Sequence, residues 1–248
     1  MRKMRADQLL VTRGLFESRA RAQAAIEAGF VTADGVQVKK SAQALPEDAA
    51  LIAQPAHPYV SRGGVKLASA LVHFGFDPNG KVCLDIGAST GGFTDVLLRG
   101  GARRVYAIDV GTEQLHVSLR GNRNVVRIEN IDARTLDRVL ISEPAELITI
   151  DVSFVSLKLI VPVVAAIAAS AAEMVALIKP QFEAGRKLVR KGVVRDAEVH
   201  RSVCDDLAAF VTQHGWHVLG VIESPTEGGD GNREFLLGAR RSGRPTKT

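Results

Sequence analysis

Two lysines and two carboxylates stand out in this 248-residue chain because of where its pattern puts them. Lys66 falls in the first turn of a predicted helix, where the positive end of the helix dipole makes a cation mildly unfavourable. Asp151 and Lys179 each close an apolar run that reads as a strand, and Glu234 follows the Gly-rich stretch GGDGN at the start of a last strand. Asp85 and Asp109 stand at the ends of two further apolar runs. Ligands of open α/β sheets bind outside the carboxyl ends of the strands, so Asp85, Asp109, Asp151 and Lys179 point to one cleft. For any one of them a cap or loop role is the commoner explanation, and the two lysines and two carboxylates could form a pair of salt bridges, which contribute little when exposed. Taken together they describe a functional cleft.

A loop that could serve such a cleft is LDIGASTGGFTDVLL, Leu84 to Leu98. VCLDIG predicts a buried parallel strand and FTDVLL an amphipathic helix. Between them Gly87, Gly91 and Gly92 leave no Cβ in the way, so the backbone can turn sharply and lie close to a ligand. The spacing is neither that of a Walker loop nor the G-x-G-x-x-G of dehydrogenases. Two readings stay open at this level, a nucleotide-like cofactor loop and a Gly-rich turn without chemistry. Asp109 closes RVYAIDVG about twenty residues past the glycines, where a carboxylate can accept from both ribose hydroxyls of a cofactor.

The elements that must position these residues alternate. After the loop and its helix come strands in RVYAIDVG, VVRIEN, ELITIDVSFVSL and MVALIKPQFEAG, a helix from about Ala197 to His214, and strands in HVLGVIESP and REFLLGAR. Strands alternating with helices imply an α/β fold with a mainly parallel sheet. VKLASALVHFGF puts Leu67, Leu71 and Phe74 on one helical stripe ahead of the first strand. Residues 1–53 form a distinct unit. RADQLLVTRGLF reads as a helix stopping at Gly14, and SRARAQAAIEAG as a second one with Ser18 as N-cap and Gly29 as its end. FVTADGVQV places Asp34-Gly35 between two alternating runs, a hairpin signal. QPAHPYVSRGG, residues 54–64, reads as a linker in which Pro58 biases His57 away from helical geometry. A larger domain then runs over residues 65–248.

Bulk properties narrow the function classes. Hydrophobic content of 46% and charged content of 24% are those of a soluble globular protein. A formal charge of +5 and a pI near 9.4 lean toward a polyanionic partner. Cys83 and Cys204 match no close-spaced pair or metal template, and none of the six histidines clusters, so a reducing cytoplasm and a metal-free site are expected. His214 and His217, flanking Gly215-Trp216, mark a helix-to-strand turn. The N-terminus MRKMRADQLL lacks an apolar signal-peptide core. Leu159 to Ile178 approaches a spanning length, but Pro162, Glu173 and the abundance of alanine favour a buried helix running into a short strand, MVALI.

The N-terminal pattern R-x-D-x-L-L, then S-R-x-x-A-x-x-x-I-x-x-G-x-V, then D-G-x-x-V-x-K resembles the small RNA-binding domain named after ribosomal small-subunit protein four. That resemblance implies RNA contacts for Arg5, Arg19, Arg21 and Lys39, which would supply affinity and orientation without reading sequence. Behind it SRGGVKL, DIGASTGGFTDVLL, IDVG, DVSFVSL, LIKPQFEAG, GVVRD and GNREFLL together resemble the TlyA or haemolysin A family. Its members are S-adenosylmethionine-dependent 2'-O-methyltransferases of ribosomal RNA with an FtsJ-type catalytic domain. DVSF also differs from the N-P-P-Y type of amino-group methylases. The resemblance implies a Rossmann-like class I methyltransferase domain with a seven-stranded, mainly parallel sheet, behind a small α+β RNA-binding unit. It implies a catalytic tetrad of Lys66, Asp151, Lys179 and Glu234. S-adenosylmethionine would meet Asp85, Gly87, Ala88, Ser89, Gly91, Gly92 and Phe93, with its ribose at Asp109 and its adenine beside Asp132.

The chemistry implied needs this mix. A ribose 2'-hydroxyl is a weak acid, so its proton must leave as the C–O bond forms. A lysine serves only if its pKa falls, which a second lysine and desolvation would promote. Lys179 is then the base or its immediate orienter, Lys66 positions the hydroxyl, and Asp151 and Glu234 orient the ammonium groups. The basic loop GRKLVRKGVVRD, with Arg186, Lys187, Arg190, Lys191 and Arg195, is expected to clamp the RNA backbone, chiefly through Arg190 and Lys191. The expected substrate is a ribose, that of a cytidine, in ribosomal RNA or ribosomal subunits, and the expected state is a cytoplasmic monomer. Two rivals remain: a membrane-active haemolysin, and an RNA-binding assembly factor that transfers nothing.

Overall fold

In the first unit, apolar residues at helical spacing and one tight hairpin build a small core. A computed structural model describes residues 2–243, and its two compact units divide between Pro58 and Tyr59. The first runs β1 (Lys3–Arg5), α1 (Ala6–Thr12), α2 (Arg19–Glu27), β2 (Val31–Ala33), β3 (Val36–Gln37), β4 (Ala44–Pro46) and β5 (Leu51–Ala53). Leu9, Leu10, Ala22, Ala25, Ile26 and Val31 are buried together. The Ser18 hydroxyl caps α2 by accepting from the Arg21 N–H. Asp34 and Gly35 have φ of 51° and 78°, the pair of left-handed residues that a two-residue hairpin between β2 and β3 requires. β1 pairs with β4 and β2 with β5, all antiparallel.

The second unit begins with α3 (Gly63–Phe74), followed by β6 (Val82–Ile86), α4 (Gly92–Arg99), β7 (Arg104–Ile108), α5 (Val117–Arg120), β8 (Val125–Ile128) and β9 (Ala145–Ile150). It continues with α6 (Leu157–Ile167), β10 (Ala168–Ile178), α7 (Pro180–Glu183), α8 (Ala197–Gln213), β11 (His217–Glu223) and β12 (Phe235–Arg241). One seven-stranded sheet results, in the order β11-β12-β10-β9-β6-β7-β8. β12 lies antiparallel to both β10 and β11, while the pairs from β10 through β8 are parallel. The chain leaves β6 toward β7 and β8, then returns to lay β9 on the other side of β6. The carboxyl ends of β6 and β9 therefore flank a topological switch point, where open α/β sheets hold ligands.

Helices cover both faces of the sheet, which is why its central strands read as continuous apolar runs. Leu67, Leu71 and Phe74 of α3 pack with Phe93 and Leu97 of α4 on one face; Ile160 and Val164 of α6 pack with Leu207 and Val211 of α8 on the other. Cys83 is wholly buried in β6, and burial pushes its thiol up to about 12, so it is an inert packing residue. Between α8 and β11, Gly215 at φ 83° turns the chain and Trp216 is buried.

Two boundaries differ from the sequence expectation. Residues 59–64, read as the end of the linker, belong to the second unit. The Val60 N–H donates to the buried Asp95 of α4 at 3.0 Å, and the Tyr59 side chain lies so close to Gly64 that a Cβ there would meet it at 2.5 Å. The helix accordingly starts at Gly63. β10 is also longer than MVALI, since Ala168–Glu173 are strand rather than helix. Alanine favours helix weakly, and pairing of Ala172 with Arg241 and Glu173 with Arg240 overrides it. No helix among the described residues is long and apolar enough to cross a membrane.

Candidate active site

Each tetrad side chain is delivered by a different element. Asp151 and Lys179 stand one residue beyond β9 and β10, neighbours in register (Ile150 opposite Ala176), so the two side chains leave the sheet together. Pro180 opens α7 at once and ends the strand there. Lys179 Nζ lies 2.7 Å from an Asp151 carboxylate oxygen and donates to Ser153 Oγ at 2.8 Å. Lys66 projects from the first turns of α3 and donates to Glu234, which precedes β12; both are buried. Gly228 passes close to the pair, since a Cβ there would lie 2.1 Å from a Glu234 carboxylate oxygen and displace that side chain. The tetrad lines a single cleft of about 290 Å³ with Gly87, Ala88, Ser89, Gly92 and Phe93. Two lysines and two carboxylates thus meet as two ion pairs facing the same space.

The glycine loop is shaped by close approach. Gly87, at φ 81°, passes the Asp151 carbonyl so closely that a Cβ would sit 2.2 Å from its oxygen. Beside Gly92 a Cβ would lie 2.2 Å from Ser61 Oγ. Gly91 lines neither cleft; it turns the loop at φ 91° against Leu115 and Leu119. Asp85 also departs from its expected cofactor contact. It is fully buried beneath the loop and faces no cleft, accepting from Thr94 Oγ1 at 2.7 Å and Thr149 Oγ1 at 3.0 Å. Burial pushes its carboxyl up to about 7. Asp85 therefore braces the loop from below.

A second cleft, of about 620 Å³, shares Gly87, Ser89 and Asp151 with the first. Asp109 lies at its wall and accepts from the backbone N–H groups of Ser89 and Gly111, both at 2.7 Å, which ties the second strand end to the glycine loop. Asp132 caps the 3-10 turn Ala133–Thr135 and pairs with Arg134, whose guanidinium holds its carboxyl at about 2. Ile108, Val110, Ile131, Val152 and Leu159 supply an apolar wall between these carboxylates. Such a volume is that of a small-molecule site. Carboxylates, an apolar slot and a glycine loop opening on the first cleft are groups that fit the hydroxyls, planar base and small polar end of a nucleoside cofactor.

Several lining residues were assigned no role from the sequence. Ser61 and Arg62, read as linker although they open the motif SRGGVKL, line the tetrad cleft, as does Glu227. Phe154 lines the larger cleft yet is 90% exposed, holds φ at 64° and lies 4.8 Å from the Phe182 ring. A positive φ is costly for a bulky residue, and no local pattern announces it.

Of the residues expected to meet RNA, Arg190 and Lys191 of the second unit line neither cleft. Arg5 and Arg19 bind the buried Asp7, Arg21 is half-buried and Lys39 exposed. In the basic loop Arg190 and Val193 exchange backbone hydrogen bonds of 3.0 Å around Lys191 (φ 50°) and Gly192 (φ 79°), a two-residue turn with Arg190 and Lys191 exposed. The Arg186 side chain lies outside the described residues. Asn232, buried, donates to the carbonyls of Gly192 at 3.1 Å and Gly229 at 3.0 Å, joining this turn to the stretch that carries Glu234. Among the described residues no group of His, Cys, Asp or Glu is placed to hold a metal.

Comparison with known proteins shows the family. Residues 59–241 match the FtsJ-like methyltransferase family and residues 4–49 the S4 domain. The chain is 42% identical over 242 residues to the 16S/23S rRNA (cytidine-2'-O)-methyltransferase TlyA of Mycobacterium tuberculosis, covering 96% of this chain and 90% of that protein. It is 44% identical over 240 residues to the candidate rRNA methyltransferase YqxC of Bacillus subtilis, covering 95% and 85%. A solved structure described as a candidate hemolysin from Streptococcus thermophilus aligns with a TM-score of 0.77 at 41% identity, over 98% of this chain and 90% of that one. S-adenosylmethionine is the cofactor these matches indicate. With a glycine loop and strand-end carboxylates on one seven-stranded sheet and two lysine–carboxylate pairs beside them, the chain belongs to the FtsJ-like methyltransferase family and carries an S4 domain over residues 4–49.

Proposed function

We propose that this protein transfers a methyl group from S-adenosylmethionine to the 2'-hydroxyl of a cytidine ribose in ribosomal RNA. The observation that carries the reading is the meeting of Lys66, Asp151, Lys179 and Glu234 in a cleft that joins the cofactor-sized cleft at Gly87, Ser89 and Asp151. The bound cofactor supplies an electrophilic methyl carbon. Asp109 and Asp132 would hold its nucleoside end, and the loop from Gly87 to Phe93 would confine its other end beside the tetrad.

On the substrate side the chain must orient a hydroxyl and receive its proton. Lys66, steadied by Glu234, donates to the ribose oxygen and fixes its direction. Lys179, which contacts Asp151 and Ser153, would take the proton or orient the group that does. Lysine is suited to this because it can exist neutral, as arginine cannot. Holding hydroxyl and methyl in line can contribute about 7 kcal/mol or more to the rate. Phe154, exposed at the mouth beside Phe182, offers a ring on which an unstacked base can lie. Arg5, Arg19, Arg21, Lys39, Arg190 and Lys191 would contact phosphates. In this reading the protein acts as a metal-free monomer in the cytoplasm.

The test is transfer of tritiated methyl from cofactor to ribosomal subunits by wild type and Lys179→Ala, with 2'-O-methyl sites mapped in the RNA. Label at a cytidine ribose that vanishes with Lys179→Ala is expected. Persistent label in the variant would remove the tetrad from the mechanism, and label on a base would replace the ribose as acceptor.

A further inference from the structure

The N-terminal unit holds a fully buried carboxylate that the transfer reaction does not use. Asp7 lies in the first turn of α1 with no exposed surface. Arg5 donates to both its oxygens, from Nε and Nη2, at 3.0 Å each. Arg19 donates from Nη2 at 2.8 Å and Nε at 3.3 Å, and Gln23 from Nε2 at 2.8 Å. Arg19 and Gln23 reach the same oxygen because residues four apart share one face of α2.

Both guanidiniums bind side-on, through Nε and Nη2. That leaves Nη1 of each outside these bonds, while the two side chains remain 42% and 50% exposed. A guanidinium is planar and rigid, so fixing one edge fixes the direction of the other. As a device for stability alone the arrangement is a poor one, since burying a carboxylate offsets much of what the pairing returns. As a mount for two arginines it is effective: one anion orients two cations, and the cluster keeps a net positive charge.

We propose that Asp7 is the positioning residue of an RNA-phosphate-binding face, holding Arg5 and Arg19 so that their free Nη1 edges meet phosphate oxygens of folded RNA. This rests on the reading that Arg5 and Arg19 contact RNA. It has a consequence opposite to charge counting: removing a negative charge from this basic unit weakens RNA binding.

The experiment is filter binding of the full chain to a protein-free transcript of 23S ribosomal RNA across a salt series, with thermal melting of each variant. R5A/R19A is expected to weaken binding about tenfold or more and lower the salt slope by about two, one per phosphate contact. Asp7→Asn is expected to weaken binding severalfold although its net charge is one unit higher. R5K/R19K, which keeps the charge but not the fork, is expected to approach the alanine variant. If R5A/R19A binds like wild type, the contact reading fails and the proposal with it. If R5A/R19A binds weakly while Asp7→Asn binds as well as wild type or better, the positioning role alone fails. Should Asp7→Asn melt the unit, R5K/R19K decides: wild-type affinity overturns the proposal, and loss of affinity at equal charge sustains it.

Discussion

Asp7 and Asp85 are the same residue type, both fully buried, one in each unit, and their surroundings drive them in opposite directions. Asp7 lies among guanidiniums, and the hydrogen bonds from Arg5 above all hold its carboxyl well below the usual range. Asp85 is met by neutral donors, the hydroxyls of Thr94 and Thr149 and the backbone of Thr94, and desolvation pushes it up to about 7. Burial therefore does not decide the state of a carboxylate; the charge of its partners does. The tetrad is a third arrangement, in which each carboxylate has one lysine. Near-balance of charge suits proton transfer, and the cationic excess around Asp7 suits a polyanion.

The sharpest way to break this contrast is to unbalance the cleft. Lys179→Ala is expected to lower methyl transfer about a hundredfold or more, the range of a lost proton acceptor, with cofactor affinity measured by calorimetry little changed. A tenfold drop or less would make Lys179 an accessory. Next in size, Lys66→Met leaves Glu234 buried without its cation, at a cost of about 3 kcal/mol or more in denaturant unfolding. Lys66→Met with Glu234→Met should recover much of that stability but none of the activity. Recovery of both would show the pair to be structural.

A smaller effect is expected at the mouth. Phe154→Ala should weaken RNA substrate by about 1–3 kcal/mol, the scale of one stacked base, raising KM for RNA more than it lowers kcat. An unchanged KM would place the substrate base elsewhere. Phe154 also shows where sequence reasoning stops. The strands and the glycine loop could be read because the apolar runs set the sheet, and Asp151 and Lys179 because two of those runs end on them; the grouping of these two with Lys66 and Glu234 as a tetrad came from the family resemblance, since a helix residue and a residue ahead of a strand end no apolar run. That Asp85 faces away from the cofactor cleft could not be read, since β6 is buried on both faces and a strand-end position does not say where its side chain points. The partnership of Asp7 with Arg19 joins two helices, and Asn232 joins two loops; each is a tertiary contact without local periodicity. Tyr59–Arg62 looked like linker because the anchor of Val60 is Asp95, 35 residues away.

The gentlest test compares the two buried aspartates by pH. For Asp85 the folded pKa, about 7, lies above its unfolded value of 3.8. Between these values the native state holds a proton that the unfolded chain has lost, so its contribution is complete below about pH 4 and is lost as pH rises toward 7. For Asp7 the folded value lies below the unfolded one, so its contribution is present above about pH 4 and is lost on acidification. Trp216, the one tryptophan of the chain, is buried in the unit that holds Asp85, so its fluorescence in urea follows that unit. Asp85→Asn should therefore flatten the fall in stability between pH 4 and 7 seen by Trp216, while Asp7→Asn leaves that profile alone. Parallel wild-type and Asp85→Asn profiles would mean that the hydroxyls of Thr94 and Thr149 keep Asp85 ionised in both states, and that hydroxyl partners suffice where guanidiniums were thought necessary.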